Sequence, residues 1–422
     1  NEFDFPQGDE NATNRYDGQG GVPIPSFFHR LLYAYDFSNF KILISNYFTG
    51  DSKILYHRQI RDRIRRVAPF LRLDQDPYIT LINGRLHWIV DGYTSSDRYP
   101  YSEPFNQNIN YIRNSVKVLI DAYDGTMQFF IVDSEDPVLQ TYQRIFPDLF
   151  TANTEIPDAV KAHFRYPQDF FMIQAQMYLS YHMDNPDVFY NQEDLWKLPT
   201  QLYEGNEEVV EPYYIIMQLP QAESEEFMLI LPFTPVNKDN MVAWMAARSD
   251  GEQYGTSLLY EFPKQQLVYG PKQIEARIDQ NPTISQQLTL WSQEGSNVIR
   301  GDLLVIPINT SLLYVEPIYL RAEQGELPEL RRVIVAYDEQ VVMEETLDEA
   351  LAVIFGDGLP SQEATEETQP TPTAPINNRL IQSALDTYQQ AQEALQNGNW
   401  SEYGELTDQL EEILLQLNGE TE

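Results

Sequence analysis

Two neighbouring β-hairpin patterns between residues 78 and 137 constrain the fold of this chain more than any other feature. The first joins a β-rich run at 78–82 to a second run at 85–90 through Asn83-Gly84. A type I′ turn needs positive φ at both central residues, and Asn-Gly adopts it readily. The second hairpin joins 116–120 to 127–132 through a turn that contains Asp124-Gly125. We therefore predict a four-stranded antiparallel sheet with helices packed around it.

The rest of the chain adds strand pairs and helices. Strand patterns pair 213–219 with 227–231, 241–248 with 256–262, and 303–308 with 312–320, followed by a strand at 332–337. Capping signals predict helices that begin at Ser26, Asp136, Asn185, Asn281 and Thr346. Apolar spacing also predicts helices over 52–67 and 157–183. Antiparallel pairs with interspersed helices, and no regular βαβ order, indicate an α+β fold.

Composition excludes several kinds of site. The 422 residues are 42% hydrophobic, enough for a large core, and carry a formal net charge of −36. This charge argues against nucleic acid as a partner, because phosphate contacts need clustered Lys and Arg. There is no cysteine, so disulfides and thiolate metal sites are excluded. No apolar run reaches the roughly 18 residues of a membrane span. Because the chain begins at Asn1 without Met, we expect a part of a longer protein.

A sharp change in composition near residue 356 predicts the domain organisation. We expect an α+β body at 1–356, with a sub-division near 200–210 left open. Residues 357–376 are rich in Ser, Gln, Glu, Thr and Pro and are typical of a flexible linker. Apolar residues at helical spacing then predict a helical hairpin at 377–419. A hairpin of this size cannot hold a core alone, so it docks either on the body or on a partner.

The predicted helix at 52–67 is unusually basic. Seven of the chain's 28 basic residues lie between Lys53 and Arg72, against the single acid Asp62. One interpretation is contact with anionic lipid head groups through basic side chains of this segment, namely Arg58, Arg61, Arg65 and Arg66. The alternative is that these arginines pair with carboxylates elsewhere in a very acidic protein.

Calcium is the one metal for which the sequence offers candidate ligands. Five acidic residues gather at the ends of the second hairpin, and hard oxygen ligands suit Ca²⁺; they are Asp121, Asp124, Asp133, Glu135 and Asp136. Their spacing is not that of an EF-hand, and Asp is also an ordinary turn residue. A shared site would need the fold to bring the two ends of the hairpin together.

No other pattern indicates catalysis or metal binding. The five histidines lack the i, i+4 spacing of a helical zinc motif. No strand leads into a nucleophile elbow or a phosphate-binding glycine loop. We therefore name no catalytic residue and no cofactor besides calcium. Paired carboxylates in an aromatic cleft would suit a hydrolase, but among 64 acidic residues the sequence cannot single out such a pair.

Several long stretches carry a family resemblance. They include NEFDFP at 1–6, IRDR at 60–63, NYIRNSVKV at 110–118, DAYDG at 121–125 and QIEARIDQ at 273–280. In these stretches the chain resembles a bacterial family of large membrane proteins known only as an uncharacterised protein family, number zero-one-eight-two. The resemblance implies several transmembrane helices in the part of the protein that precedes this segment. It also implies that this chain is the large domain outside the cytoplasm. It implies no catalytic or binding residue.

Together these observations predict a non-enzymatic, extracytoplasmic domain of a multi-pass membrane protein. Its expected partners are the protein's own N-terminal transmembrane region and a protein or peptide of the cell envelope, which it would bind or hold in a complex. The rival hypothesis is an envelope hydrolase or carbohydrate-active enzyme that uses a carboxylate pair in an aromatic cleft. A deep pocket holding two carboxyl groups with well-separated pKa values would favour the rival.

Overall fold

The computed structural model describes residues 2–7, 10–203, 206–219, 224–292, 296–308, 311–322 and 327–356, together with Thr387 and Leu406. The chain divides into two units, 1–356 and 357–422. The predicted linker and all but two residues of the predicted helical hairpin lie outside the described residues. The domain boundaries, including the sub-division near 200–210, stay predictions. Within the described part of the chain, no helix is both long and apolar enough to span a bilayer.

The N-terminal segment contains more regular structure than its Gly and Pro residues suggest. Its elements are β1 (Glu2–Gln7), β2 (Glu10–Asn14), β3 (Val22–Pro23), α1 (Phe27–Asp36), α2 (Lys41–Ile44), β4 (Lys53–Ile54) and α3 (Ile60–Val67). The predicted helix over 52–67 is wrong in its first half. There β4 pairs with β3, and His57 has a φ of 53°, which a helix cannot accommodate. The helix begins at Ile60, where the side chain of Gln59 accepts a bond from the Asp62 amide.

The first large sheet contains the four predicted strands and two short additions. Its strands are β5 (Arg72–Leu73), β6 (Tyr78–Ile82), β7 (Arg85–Ser96), β8 (Tyr111–Asp121), β9 (Met127–Ile131) and, beyond helix α4 (Pro137–Ile145), β10 (Phe150–Thr151). The strand order is β10-β9-β8-β7-β5, with β6 also paired to β7. Asn83 and Gly84 have φ values of 50° and 77°, so the predicted turn is confirmed.

The second sheet follows a group of helices. The elements are α5 (Asp158–Lys161), α6 (Gln168–Tyr181), α7 (Pro186–Asn191), β11 (Trp196–Lys197), β12 (Thr200–Tyr203), β13 (Asn206–Val209), β14 (Tyr213–Gln218), β15 (Glu225–Pro235), β16 (Ala243–Arg248) and β17 (Ser257–Glu261). The sheet order is β11-β15-β16-β17, with β14 also paired to β15. The continuous helix predicted over 157–183 is interrupted. Pro167 precedes α6, and the amides of Arg165 and Tyr166 donate to Tyr78 and Ser249 instead of to a helix.

The third sheet lies after two consecutive helices. These elements are α8 (Pro271–Gln280), α9 (Pro282–Trp291), β18 (Ser296–Arg300), β19 (Leu304–Ile308), β20 (Ser311–Ala322), β21 (Glu329–Tyr337), β22 (Gln340–Glu344) and α10 (Leu347–Phe355). The order is β18-β20-β21-β22, with β19 also paired to β20. The capping box at Thr346 and Glu349 is confirmed. All pairings in the second and third sheets are antiparallel, which confirms the α+β class.

The first sheet is covered on both faces. One face packs on Ile64 of α3 and Leu139 of α4. The other face packs on Val160 of α5 and on Ile156, just before that helix. The second and third sheets share a larger core, in which Met228 and Ile318 are fully buried. The body is therefore well packed, and this makes large apolar residues left outside it informative.

Candidate functional site

Helix α1 turns its apolar side to solvent. At 100° per residue its five large exposed side chains cover an arc of about 140°; they are Phe27, Phe28, Leu31, Leu32 and Tyr35. Two residues outside this arc point inward, namely Ala34, which is buried, and Arg30, which is half-buried. The Arg30 guanidinium donates to the Phe48 carbonyl oxygen at 2.9 Å and lies over the Phe48 ring. A helix packed on a globular body directs its apolar side to the core. We call α1 inverted because its apolar side faces water.

Exposed apolar side chains continue along the sequence beyond α1. Phe40 is 69% exposed just before α2, Ile44 is exposed at its end, and Tyr47 is 95% exposed in the loop that follows. We call this set of eight side chains the apolar face: Phe27, Phe28, Leu31, Leu32, Tyr35, Phe40, Ile44 and Tyr47. Soluble proteins rarely leave so many large apolar groups together in water, and such patches usually mark an interaction site.

The basic helix α3 is linked to the inner side of α1. The ring of Tyr56 contacts Tyr33 and Phe37, on the inner side of α1 and just after it, with centroid distances of 5.8 and 6.0 Å. The ring of the next residue, His57, lies 4.4 Å from that of Tyr56 in a tilted arrangement, and the His57 carbonyl oxygen accepts a bond from Arg63 in α3. A short chain of contacts therefore connects the two helices.

The arginines predicted to contact lipid differ in their surroundings. Arg58, Arg65 and Arg66 are exposed, whereas Arg61 is half-buried and its Nε is buried without a partner. Arg65 makes a surface ion pair of 3.6 Å with Asp62, one turn earlier. Within the described residues, no hydrogen bond or ion pair engages Arg58 or Arg66. Of these four arginines, only Arg65 forms an ion pair within the described residues, and its partner Asp62 lies in the same helix, not elsewhere in the chain.

Two of the calcium candidates, Asp121 and Asp124, lie together at one end of the second hairpin. The Arg85 guanidinium contacts both carboxylates, at 3.0 and 3.4 Å. The N-terminal loop also covers Asp124, whose Oδ1 accepts bonds of 2.9 Å from the Tyr16 hydroxyl and the Gln19 amide. The hydrogen bond from Tyr16 lowers the pKa of Asp124. Protein groups thus already bind Asp124, and the two carboxylates share the single Arg85 guanidinium.

The other three candidates lie at the opposite end of β9. Asp133 pairs with Arg113 at 2.7 Å, and Glu135 is exposed. Asp136 is buried and caps α4 through Val138. Burial acts to raise the pKa of Asp136, but hydrogen bonds from side chains outweigh it and lower the pKa; the donors are Ser115, Thr94 and Tyr111.

The structure therefore does not bring the five acids to one place. The five residues of β9 separate the two groups by about 17 Å at 3.4 Å per residue. Among the described residues, no three His, Cys, Asp or Glu side chains are arranged to hold a metal ion. Calcium binding by Asp121, Asp124, Asp133, Glu135 and Asp136 stays a prediction.

The rival enzyme hypothesis needs a carboxylate pair in an accessible cleft. A cavity of about 790 Å³ lies beside Asp121 and Asp124 and is lined by aromatic rings that include Tyr56 and Trp88. Catalysis by such a pair needs one carboxyl group with a raised pKa, whereas that of Asp124 is lowered. Asp124 therefore does not meet the requirement for the general acid of a glycoside hydrolase.

A second carboxylate pair has raised pKa values but is inaccessible. Burial raises the pKa of Glu275 to about 7 and also raises that of Glu316. Glu316 is held by Arg300 in a two-pronged ion pair of 2.5 and 2.9 Å. The carboxyl of Glu275 accepts a bond of 2.6 Å from the Leu202 amide, and its Oε2 is buried without a partner. Glu275 is 2% exposed and Glu316 is fully buried, so no substrate reaches them in this conformation.

Sequence reasoning missed a buried ion pair at the centre of the first sheet. Asp91 in β7 and Lys117 in β8 are directly paired across the strands. The fully buried Lys117 ammonium contacts Asp91 at 2.5 Å and donates to the Arg165 carbonyl at 2.9 Å. The signal was Lys117 within the apolar run 116–120 and Asp91 directly after the run 85–90. Only the register, which the sequence did not supply, shows that the two face each other.

Comparison with known proteins places the chain among proteins without an assigned activity. The family described as "Uncharacterised protein family (UPF0182)" matches residues 1–291. A UPF0182 protein of Trichodesmium erythraeum is 61% identical, over 100% of this chain and 48% of that protein. A UPF0182 protein of Pelotomaculum thermopropionicum is 52% identical, over 99% of this chain and 46% of that protein. The chain thus spans about half the length of the relatives it matches. No solved structure shows a significant match.

Proposed function

The chain belongs to the uncharacterised protein family UPF0182, and we propose that within it this chain is a non-catalytic binding module that docks through its apolar face. The module would be the extracytoplasmic domain of a multi-pass membrane protein and would bind or hold a partner in the cell envelope. Relatives of about twice the length support this proposal, because their other half could supply a membrane part.

The observation that carries the proposal is the inverted helix α1. Exposed aromatic and aliphatic side chains are unfavourable in water by about 25 cal/mol for each Å² of apolar area. The same chain packs comparable residues, such as Phe171 and Phe233, completely inside the body. A surface with this composition is stabilised when something covers it, so docking is the role that it supports best.

The absence of cysteine allows a direct test. Single cysteines replace Tyr35 or Tyr47 on the apolar face, and Tyr101, which is fully exposed outside that face, provides the matched control. The full-length protein in intact cells and this chain alone are each treated with a membrane-impermeant maleimide. The protein without the introduced cysteine gives the background.

We expect Tyr35→Cys and Tyr47→Cys to be labelled in the isolated chain and protected in the full-length protein. Tyr101→Cys should be labelled in both, including in intact cells, because the domain lies outside the cytoplasm. Equal labelling of all three positions in cells would refute docking through the apolar face. Labelling of Tyr101→Cys only after permeabilisation would refute the extracytoplasmic location.

A further inference from the structure

We infer that the partner covering the apolar face is the surface of a bilayer that contains anionic phospholipid. This inference rests on the proposed function, since it names the occupant of the same surface. A bilayer presents an apolar interior directly beneath a layer of negative charge. The apolar face and the exposed arginines belong to the same segment of the chain and match these two features.

The positive charge of the segment that carries the apolar face favours an anionic bilayer as the occupant. Residues 27–72 contain nine of the chain's 28 basic residues but only three of its 64 acidic residues. The segment that carries the apolar face is therefore positive, although the whole chain has a net charge of −36. Charges separated by more than about 10 Å are largely screened at moderate salt, so the acidic body does not cancel this local attraction.

The side chains available for head groups are the exposed arginines at and near α3. Arg58 and Arg66 are exposed, and no ion pair or hydrogen bond holds either of them within the described residues. Arg65 is exposed, and among the described residues its ion pair is with Asp62, across one helical turn. Surface pairs of this kind contribute little, so Arg65 can exchange Asp62 for a phosphate oxygen. Arg61 and Arg63 are half-buried and are not part of the inference.

The composition of the apolar face also suits the membrane interface. Aromatic residues make up five of its eight side chains, including Tyr35, which is 88% exposed. Tyrosine is enriched at membrane interfaces, where its ring lies near the head groups and its hydroxyl stays hydrated. A second copy of the chain fits less well. A two-fold contact through this surface would bring its arginines close to their own symmetry mates.

Vesicle sedimentation tests the inference. The chain is mixed with vesicles of phosphatidylcholine alone, or of phosphatidylcholine and phosphatidylglycerol at about three to one. We expect binding to the mixed vesicles, with each Arg→Gln change at positions 58, 65 and 66 weakening it about fivefold. Combining the three should weaken binding about a hundredfold. Phe27→Ser and Leu31→Ser should each weaken it about tenfold, because an apolar side chain no longer enters the interface.

Two variants outside this surface serve as controls. Arg98→Gln removes an arginine whose side chain is 90% exposed, and Tyr101→Ser removes an exposed aromatic ring. Neither should change vesicle binding. Circular dichroism of every variant separates loss of binding from loss of fold.

The outcomes also separate this inference from the proposed function. No binding to mixed vesicles, or equal binding by the triple arginine variant, would overturn the bilayer inference. If cysteines at 35 and 47 were nevertheless protected in cells, docking would stand with a protein as its occupant. Vesicle binding without protection in cells would refute the proposed function itself.

Discussion

Replacing Glu275 with Gln tests the electrostatics of the buried carboxylate pair. In the folded protein burial raises the pKa of Glu275 to about 7, from an ordinary value of 4.5. The repulsive charges nearby are Glu316 and Asp279, and the attractive one is Arg300, which is already bound to both of these acids. The Glu275 carboxyl is therefore neutral in the folded protein at mildly acidic pH and ionised at alkaline pH.

The sign of the effect follows from proton linkage. A group with a raised folded pKa contributes stability that is fully present below about 4.5 and is lost as pH rises through about 7. At 1.36 kcal/mol per pKa unit, the full loss above pH 8 is about 3 kcal/mol. Gln does not titrate, and its side-chain oxygen can still accept the bond from the Leu202 amide. We therefore expect Glu275→Gln to gain about 3 kcal/mol relative to the original chain between pH 4.5 and 8.

Urea unfolding of both proteins across this pH range measures the difference. Glu207→Gln is the matched control. Glu207 lies in β13 and pairs with Lys272 of α8 on the surface, so its variant should not gain stability with rising pH. A difference between Glu275→Gln and the original chain that stays constant with pH would refute the reasoning. It would mean that Arg300 or water stabilises the ionised Glu275 as well as bulk solvent does.

Three further predictions concern the first sheet. Lys117→Met leaves the Asp91 carboxyl buried without its cation, so urea unfolding should show a loss of about 3–5 kcal/mol; the double variant with Asp91→Leu should lose less. Asp136→Ala removes the α4 cap, and we expect a loss of about 1–2 kcal/mol at pH 7. Because the folded pKa of Asp136 is lowered, that loss should shrink as the pH falls below about 4. If calcium binds, a concentration a hundredfold above its Kd would add about 2.7 kcal/mol to the free energy of unfolding. A thermal shift that a chelator reverses would identify a site, and a flat series would remove the five acids as candidates.

The elements that could be predicted from the sequence are those specified by local chemistry. The turn at Asn83-Gly84 requires only the backbone freedom of its two residues. The capping side chains of Asp136 and Asn281 bond to amides two or three residues away. In each case the interacting groups are neighbours in sequence, so the pattern and the structure carry the same information.

The incorrect predictions concern segments whose backbone conformation is determined by contacts with residues distant in sequence. The segment before α3 has helical spacing. However, β4 in this segment pairs with β3 at Val22, and His57 has a left-handed backbone conformation. The helix therefore begins only at Ile60. Likewise, the Arg165 amide bonds to Tyr78 in the first sheet and the Tyr166 amide bonds to Ser249, just after β16 of the second sheet, so the segment between α5 and α6 is not helical. The ion pair between Asp91 and Lys117 depends on strand register in the same way. None of these partners lies within one helical turn or one hairpin turn of the residue that it controls.

Helix α1 shows a different limit of sequence reasoning. Apolar residues at helical spacing predict an amphipathic helix, and one spans Phe27–Asp36. The period of the pattern identifies the apolar side of the helix but not what covers it. Burial in a core and docking on another surface both require apolar residues along one side of the helix. What separates the two here is the inner side, where Arg30 bonds to the Phe48 carbonyl while Phe27 and Leu31 face water. A helix that orients its arginine inward and its aromatic residues outward is suited to an environment less polar than water.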